Sequence, residues 1–249
     1  MDTILARSSG VIAVLALLLT TSLLNGCGSS FDIKAEDDKT SIYSFGVTKP
    51  VLPKMSIDVV YSQSDGEGTQ KLDDGAIQLD RQRVKVESEP LLLNSEFTIK
   101  TGRAGVTFHL VDISHLTLDI SPGVRFLEYE LETRTTNTRL SKKDQDWGGG
   151  FNLRLGVPFS DRIGMEADLG VYDTGTLGRF FFDRGVSVNF HLNDYITTHL
   201  GYRSWRINDD NSDNNSDICF SSDEPKDCDD SEVEFLAEGF SLGLHVLLK

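Results

Sequence analysis

The feature that most constrains this chain is an alternation of apolar and polar residues that recurs in segment after segment beyond Lys54. Because successive side chains of a β-strand point to opposite faces, a period of two predicts strands whose two faces differ in chemistry. Segments with a helical period are almost absent, so the sequence predicts an all-β fold. The alternation predicts eight strands, at 55–62, 97–110, 116–132, 148–158, 162–172, 179–191, 195–207 and 235–248.

One face of every predicted strand is apolar. In the third strand that face carries Leu116, Leu118, Ile120, Val124 and Phe126. The opposite face is polar, and its charged residues are five acids and five arginines, which can neutralise one another: Asp58, Arg103, Asp119, Arg125, Arg154, Glu166, Asp168, Arg179, Asp183 and Arg203. Ten glycines share the polar face: Gly105, Gly123, Gly150, Gly156, Gly164, Gly170, Gly185, Gly201, Gly239 and Gly243.

The glycines and the connections decide which face points inward. In a soluble barrel the apolar face fills the interior, whereas in a membrane barrel it meets the lipid. Glycines give no advantage to a face in water, but a narrow lumen needs small residues beside long arginines. Tight turns are predicted at VDISH, PFSDR and HLNDY, and long loops at 63–96, 133–147 and 208–234, which is typical of outer-membrane barrels. The sequence therefore predicts an eight-stranded antiparallel up-and-down transmembrane β-barrel.

The amino terminus carries about fifteen mostly apolar residues from Gly10 to Leu24. This run is too short to span a bilayer, which takes about twenty residues, and it has the length of a signal-peptide core. The sequence LNGC, from Leu24 to Cys27, resembles the bacterial lipobox. The resemblance implies cleavage before Cys27 and lipidation of that cysteine, and Gly28 then implies sorting to the outer membrane. The alternative is an ordinary secretory signal beside an unrelated cysteine.

These features predict three regions: a lipoprotein signal peptide at 1–26, a lipidated flexible tether at 27–53 and the barrel at 54–249. The tether is polar and shows no sustained period. The segment AIQLDRQRVKV at 76–86 has strand character. An even strand count returns the carboxyl terminus to the periplasm, the side of the lipidated start, so 76–86 is interpreted as a hairpin within the first long loop.

The last strand carries a further resemblance. Ser241–Leu248 reads SLGLHVLL, with apolar residues at Val246 and Leu248, and is similar to the barrel-assembly signal. With the architecture at 54–249, it resembles the family of small eight-stranded outer-membrane barrels that includes the transmembrane domain of outer membrane protein A. That family usually ends on an aromatic residue, whereas Lys249 ends this chain. The resemblance implies the barrel-assembly machinery, outer-membrane lipids and lipopolysaccharide as partners.

The charged lumen is predicted to be an ion-paired plug, because buried charges require partners. A gated conduit is the alternative.

In an oxidising compartment, Cys219 and Cys228 are predicted to form a disulfide. The loop 208–234 has eleven acids and one lysine, so its carboxylates, including Asp209 and Asp213 beside Asn211, are candidate ligands for divalent cations. A solvated acidic loop is favoured over a defined ion site, and no cofactor, resident metal or nucleic-acid partner is expected.

No catalytic residue is predicted. His109, His115, His191 and His245 lie towards the turn end, and His199 lies mid-strand. We therefore expect a non-enzymatic, lipid-anchored outer-membrane barrel with a structural or loop-mediated binding role. The alternatives are a narrow conduit for small or apolar solutes and a lipocalin-like soluble carrier on a lipid tether, although the Gly-x-Trp motif usual in such carriers is missing.

Overall fold

The computed structural model describes residues 31–34, 40–72, 76–79, 82–85, 91–135, 138–173, 180–209, 218–221 and 233–248. It confirms the all-β class. Its thirteen strands are β1 (Phe31–Lys34), β2 (Ser41–Leu52), β3 (Met55–Leu72), β4 (Ala76–Leu79), β5 (Gln82–Lys85), β6 (Leu91–Ile113), β7 (Leu116–Arg134), β8 (Arg139–Pro158), β9 (Ile163–Asp173), β10 (Phe180–His191), β11 (Ile196–Asp209), β12 (Ile218–Ser221) and β13 (Val233–Leu247). Within these ranges, no helix has the length and apolar character to cross a membrane.

Nine of the strands form a closed barrel in the order β2–β3–β6–β7–β8–β9–β10–β11–β13, with β13 hydrogen-bonded back to β2. Consecutive strands are antiparallel, but the closing pair is parallel, with Phe240 opposite Ser41 and Leu247 opposite Thr48. An odd number of alternating strands leaves its first and last members running the same way, so closure has to be parallel. The predicted barrel is confirmed, and the predicted count of eight strands is corrected to nine.

The added strand is β2, which lies in the segment predicted to be a tether. Tyr43 and Phe45 are exposed on the outer face, whereas Ile42 and Gly46 are buried. β2 pairs with β3 through a turn at Pro53 and Lys54. Ser and Thr at alternate positions make this segment look polar in sequence, but they face a lumen that is itself polar. The tether therefore cannot extend to residue 53.

The nine-stranded ring places the two ends of the barrel on opposite sides. The turns at 53–54, 114–115, 159–162 and 192–195 lie at one end of the barrel, named here the turn end, and the long connections lie at the loop end. β2 and β13 both run from the loop end to the turn end. The barrel thus begins at the loop end and finishes at the turn end, which corrects the expectation that both ends share one side.

The hairpin predicted at 76–86 is present outside the barrel. β4 and β5 pair antiparallel, with Ile77 opposite Val84. β12, from the acidic loop, adds to the free edge of β4, with Cys219 opposite Gln78. The first and last long loops therefore meet in a small three-stranded sheet.

The two barrel faces differ as the alternation predicts. Large apolar side chains are exposed outside, among them Ile57, Val59, Leu110, Val124, Phe151, Ile163, Val188, Leu200 and Leu242. Polar side chains are buried inside, among them Ser56, Asp58, Ser62, Thr101, Arg103, Thr107, Ser121, Arg125, Asn152, Asp183 and Ser241. The barrel is thus apolar outside and polar inside over the part next to the turn end.

Near the loop end the two faces exchange their chemistry. On β7 the inward residues Leu127 and Leu131 are buried and apolar, whereas the outward residues of the same stretch are Glu128, Glu130 and Glu132. Leu93, Phe97, Ile99, Leu140, Tyr172, Phe181, Trp205 and Ile207 complete this apolar interior. The loop-end part, named here the extension, is built like a soluble barrel, with an apolar core and a charged surface. The exchange was not predicted.

Two facing glycines show why small residues are needed in the wall. Gly105 on β6 lies opposite Gly123 on β7. A Cβ atom on Gly105 would lie 2.7 Å from the carbonyl oxygen of Pro122, and one on Gly123 would collide with the carbonyl oxygen of Ala104. Larger residues at this pair would push β6 and β7 apart.

Candidate functional site

The lumen is the candidate site, because it gathers most of the predicted charged residues. Nine of the ten lie on the described strands with inward parity, and Arg179 lies outside the described residues. Six of these side chains form two ion-paired groups, and the other three, Asp58, Asp119 and Arg103, lie apart from them. The groups are centred on Asp183 and on Arg154.

Asp183 on β10 is the centre of the first group. Its carboxylate accepts hydrogen bonds from Arg203 Nε at 2.6 Å, from Arg125 Nη2 at 2.8 Å and from Trp205 Nε1 at 3.1 Å. Its side chain is 2% exposed. Arg125 also donates from Nε to Thr101 Oγ1 at 2.5 Å. One buried carboxylate therefore serves two guanidinium groups from different parts of the wall.

Arg154 on β8 is the centre of the second group. Its Nε lies 3.2 Å from Glu166 Oε1 and 3.4 Å from Asp168 Oδ1, both on β9. Asn152 donates to Asp168 at 3.2 Å, and Asn189 donates to Glu166 at 3.3 Å. Each of the two carboxylates thus has one cationic and one amide partner.

The nearest partners of Asp58 and Asp119 are hydroxyl groups and a histidine instead of arginines. Thr48 Oγ1 donates to Asp58 at 2.5 Å, and Thr107 donates to its other oxygen. Asp119 Oδ1 lies 2.8 Å from His109 Nδ1. The structure therefore brings six predicted residues into ion pairs and places these two acids in hydrogen-bonded positions on the wall.

A Ser–His–Asp arrangement lies at the turn end, and the sequence did not reveal it. Ser56 Oγ is 3.4 Å from His109 Nε2, and the other ring nitrogen faces Asp119. The order of groups matches that of a hydrolytic triad. However, Ser56 is 1% exposed, so a substrate carbonyl has no access to its hydroxyl in this conformation. These three residues form part of the hydrogen-bonded wall.

A polar cavity of about 190 Å³ lies among the charged groups. Its lining includes Arg103, Arg125, Arg154, Asp168 and Asp183. It adjoins a larger open space at the turn end, and His191, Thr197 and His245 line both. The cavity is therefore reached from the turn end.

The apolar core of the extension closes the lumen on the other side. Phe181 and Trp205 pack with ring centroids 6.1 Å apart, and both are fully buried. The guanidinium carbon of Arg125 lies 4.1 Å from the centre of the Phe181 ring and 4.9 Å from that of Tyr172. Arg125 thus joins the charged part of the lumen to the apolar part.

The outer surface of the extension carries cross-strand ion pairs. Lys100 and Lys143 approach Glu128 from both neighbouring strands, at 3.2 and 3.1 Å. Glu132 pairs with Arg134 two residues along its own strand and with Arg139 on β8. The hydrogen bonds from Lys143 and Lys100 hold the pKa of Glu128 below its usual value, and those from Arg139 and Arg134 do the same for Glu132.

Aromatic residues mark the boundary between the apolar exterior and the charged extension. Phe126 and Trp147 pack at 5.0 Å, and Tyr202 and Phe240 pack edge to face at 6.3 Å. Directly on the loop side of Tyr202, Ser204 donates to Glu238, which also pairs with the outward Arg184 at 2.9 Å. The register of β10 is continuous at Arg184, so no bulge turns this side chain inward.

Several predicted positions stay untested. Cys27 and Cys228 lie outside the described residues, as do Asn211 and Asp213 of the acidic loop. The backbone of Cys219 is described in β12, and that of Asp209 ends β11. Among the residues that the structure describes, no group of three or more His, Cys, Asp or Glu side chains could hold a metal ion.

No protein-family model and no curated protein matches this chain. The proposal for function therefore rests on the geometry of the lumen and of the exterior.

Proposed function

We propose that this protein is a lipid-anchored barrel of the bacterial outer membrane that does not conduct, and that it presents the extension and its acidic loops on one side of the bilayer. The single observation that carries the proposal is the exchange of chemistry between the faces. Exposed apolar side chains cover the barrel up to the aromatic boundary, and charged side chains cover it beyond. A water-exposed protein gains nothing from such a band, whereas a bilayer requires one.

The height of the apolar band fits a membrane. On β7 it runs from Leu116 to Phe126, and on β8 from Trp147 to Val157, which is eleven residues in each case. At about 3.3 Å per residue and a tilt of about 45°, eleven residues cover roughly 26 Å along the membrane normal. Transmembrane barrels carry an apolar band about 25 Å tall.

The lumen supports a closed barrel over the two alternatives. A conduit needs a continuous polar path, but buried Phe181, Trp205 and Leu131 fill the lumen at the loop end. A soluble carrier needs its apolar face inside, but over the turn-end part that face is outside. The role is therefore structural or based on binding by the loops, without catalysis. We further propose that Arg184, at the aromatic boundary, contacts a phosphate of a lipid headgroup or of lipopolysaccharide.

The two tryptophans offer a direct test. Trp147 is 64% exposed at the aromatic boundary, whereas Trp205 is buried in the lumen. The purified protein is reconstituted into vesicles whose lipids carry bromine on the acyl chains near the headgroups. The Trp205→Phe variant retains Trp147, and we expect strong quenching of its fluorescence. The Trp147→Phe variant retains Trp205 and serves as the control, with little quenching expected.

Equal and weak quenching in the two variants would contradict a membrane position for the band. A second measurement addresses conduction. Planar bilayers containing the protein are expected to show no unitary current steps. Regular unitary steps in the unmodified protein would favour the conduit instead.

A further inference from the structure

Two arginines lie side by side in the lumen. Arg103 on β6 is directly opposite Arg125 on β7, and both point inward. Arg103 is 8% exposed and Arg125 is 3% exposed. Residues directly opposite on neighbouring antiparallel strands have Cβ atoms about 5 Å apart, and like charges at such positions repel. The repulsion is stronger here because both groups are withdrawn from water.

Both arginines have donors that no group in the described part of the chain satisfies. Among the described side chains, Arg103 makes no direct hydrogen bond or ion pair, and the Asp58 carboxylate acts on it only over a longer distance. Nη1 of Arg125 is buried and without a hydrogen-bond partner. A buried donor left unsatisfied costs free energy, and the cost is greater when the donor is charged. Such a pair indicates that an acceptor is missing.

The carboxylates around the same cavity cannot supply that acceptor. Asp183 is held by Arg203, Arg125 and Trp205. Glu166 and Asp168 are held by Arg154 and by two amides. The cavity lining itself holds four arginines and three carboxylates. Asp58 and Asp119 lie outside this lining, where Thr48, Thr107 and His109 bind them, so they act on the arginines only from a distance.

We propose that this cavity binds one small oxyanion, a carboxylate or phosphate group, at the guanidinium group of Arg103, beside Arg125. A single negative charge relieves the repulsion between the two guanidinium groups and gives Arg103 a direct acceptor. Planar guanidinium groups suit oxyanions, because two N–H donors can bind two oxygens at once. The proposal goes beyond the structural role of the barrel and gives the lumen a ligand.

The cavity has the size and access that such a ligand requires. Its volume of about 190 Å³ holds a small oxyanion together with a few water molecules. His191, Thr197 and His245 lie between it and the open space at the turn end. The ligand therefore enters and leaves from the turn end, while the apolar core blocks the loop end.

Binding is tested on the full chain folded in detergent micelles, with inorganic phosphate and acetate as probes at fixed ionic strength. Isothermal titration calorimetry gives the dissociation constant for each. The Arg103→Gln variant removes the unpaired guanidinium, and we expect its dissociation constant to rise at least tenfold. Arg139→Gln is the matched control, because Arg139 is exposed on the extension and pairs with Glu132. Its dissociation constant should stay within twofold of that of the unmodified protein.

Folding is checked for each variant by its shift on unheated gels. If Arg103→Gln does not fold, Arg103→Lys keeps the charge but loses the planar fork, and we expect binding at least fivefold weaker. No measurable binding of either probe, or binding that is equal in the Arg103 and Arg139 variants, overturns the proposal. Because the measurement is made in micelles, its failure leaves the result of the lipid-quenching experiment unchanged.

Discussion

The Asp183→Asn substitution removes the charge shared by two buried guanidinium groups. Asp183 accepts from Arg203 at 2.6 Å and from Arg125 at 2.8 Å, with its side chain 2% exposed. Breaking a buried ion pair by removing one partner costs about 3–5 kcal/mol, because the remaining charge is left uncompensated. Two cations lose their partner here, so we expect the free energy of unfolding to fall by about 4–5 kcal/mol, at the upper end of that range.

The loss is measured by urea unfolding of the vesicle-embedded protein, followed by circular dichroism. Glu238→Gln is the control, because it breaks an ion pair with Arg184 on the outer surface. The Glu238 side chain is 24% exposed and the Arg184 side chain is 43% exposed. Exposed pairs contribute about 0–1 kcal/mol, so the control should lose no more than that.

A combined variant separates the charge from the packing. Replacing Asp183 with Leu, and both Arg125 and Arg203 with Met, removes the whole group and leaves no unpaired charge. Apolar replacement of a complete buried ion pair is often neutral, so this variant should recover most of the stability lost in Asp183→Asn. A loss for Asp183→Asn below about 1 kcal/mol, similar to the control, would refute the view that the lumen is a desolvated ion-paired core.

Three further predictions concern the wall, the extension and the chain ends. Gly105→Val should prevent folding, seen as loss of the gel shift, because its side chain meets the backbone of β7; normal folding would contradict the close approach of the strands. The carboxyl carbon of Glu128, titrated by NMR, should show a pKa below its usual value that rises when Lys143 becomes Gln. Because this pKa is lowered by folding, the associated stability is present at neutral pH and is lost as the pH falls through the folded pKa. An epitope inserted before Phe31 should share the accessibility of one placed in 208–234, whereas one after Lys249 should show the opposite; equal accessibility of both ends would contradict parallel closure.

The strand pattern could be predicted from sequence because the alternation on each strand is strong. Leu116, Leu118 and Ile120 reveal their face without any knowledge of their neighbours. β2 was missed because Ser44 and Thr48 give its inward face the composition of a linker. A polar lumen makes linker-like composition compatible with a strand, so composition alone cannot separate the two.

The exchange of faces on β7 was present in the sequence but was not recognised. Beyond Phe126 the even-numbered residues become Glu128, Glu130 and Glu132, while Leu127 and Leu131 take the other parity. The exchange is visible when the positions of the apolar residues before and after Phe126 are compared, because they move from even to odd numbers.

The pairing within the lumen could not be predicted. The sequence places Asp183, Arg125 and Arg203 on the same face, but Arg125 lies on β7 and reaches Asp183 on β10 across the lumen. Such contacts depend on strand number and tilt, which fix the distance across the barrel. The position of Arg103 opposite Arg125 and the pairing of Arg184 with Glu238 depend on the same geometry.

Spin labels placed one at a time along β7 test most directly whether the apolar face meets lipid. At Leu118, Ile120 and Val124 the account predicts strong collision with oxygen, which concentrates in the bilayer, and weak collision with a water-soluble nickel reagent. At Glu128 and Glu130 it predicts the reverse, and at Ser121 it predicts a label shielded from both. Shielding at Leu118 and Ile120, together with access of the nickel reagent at Ser121, would contradict it.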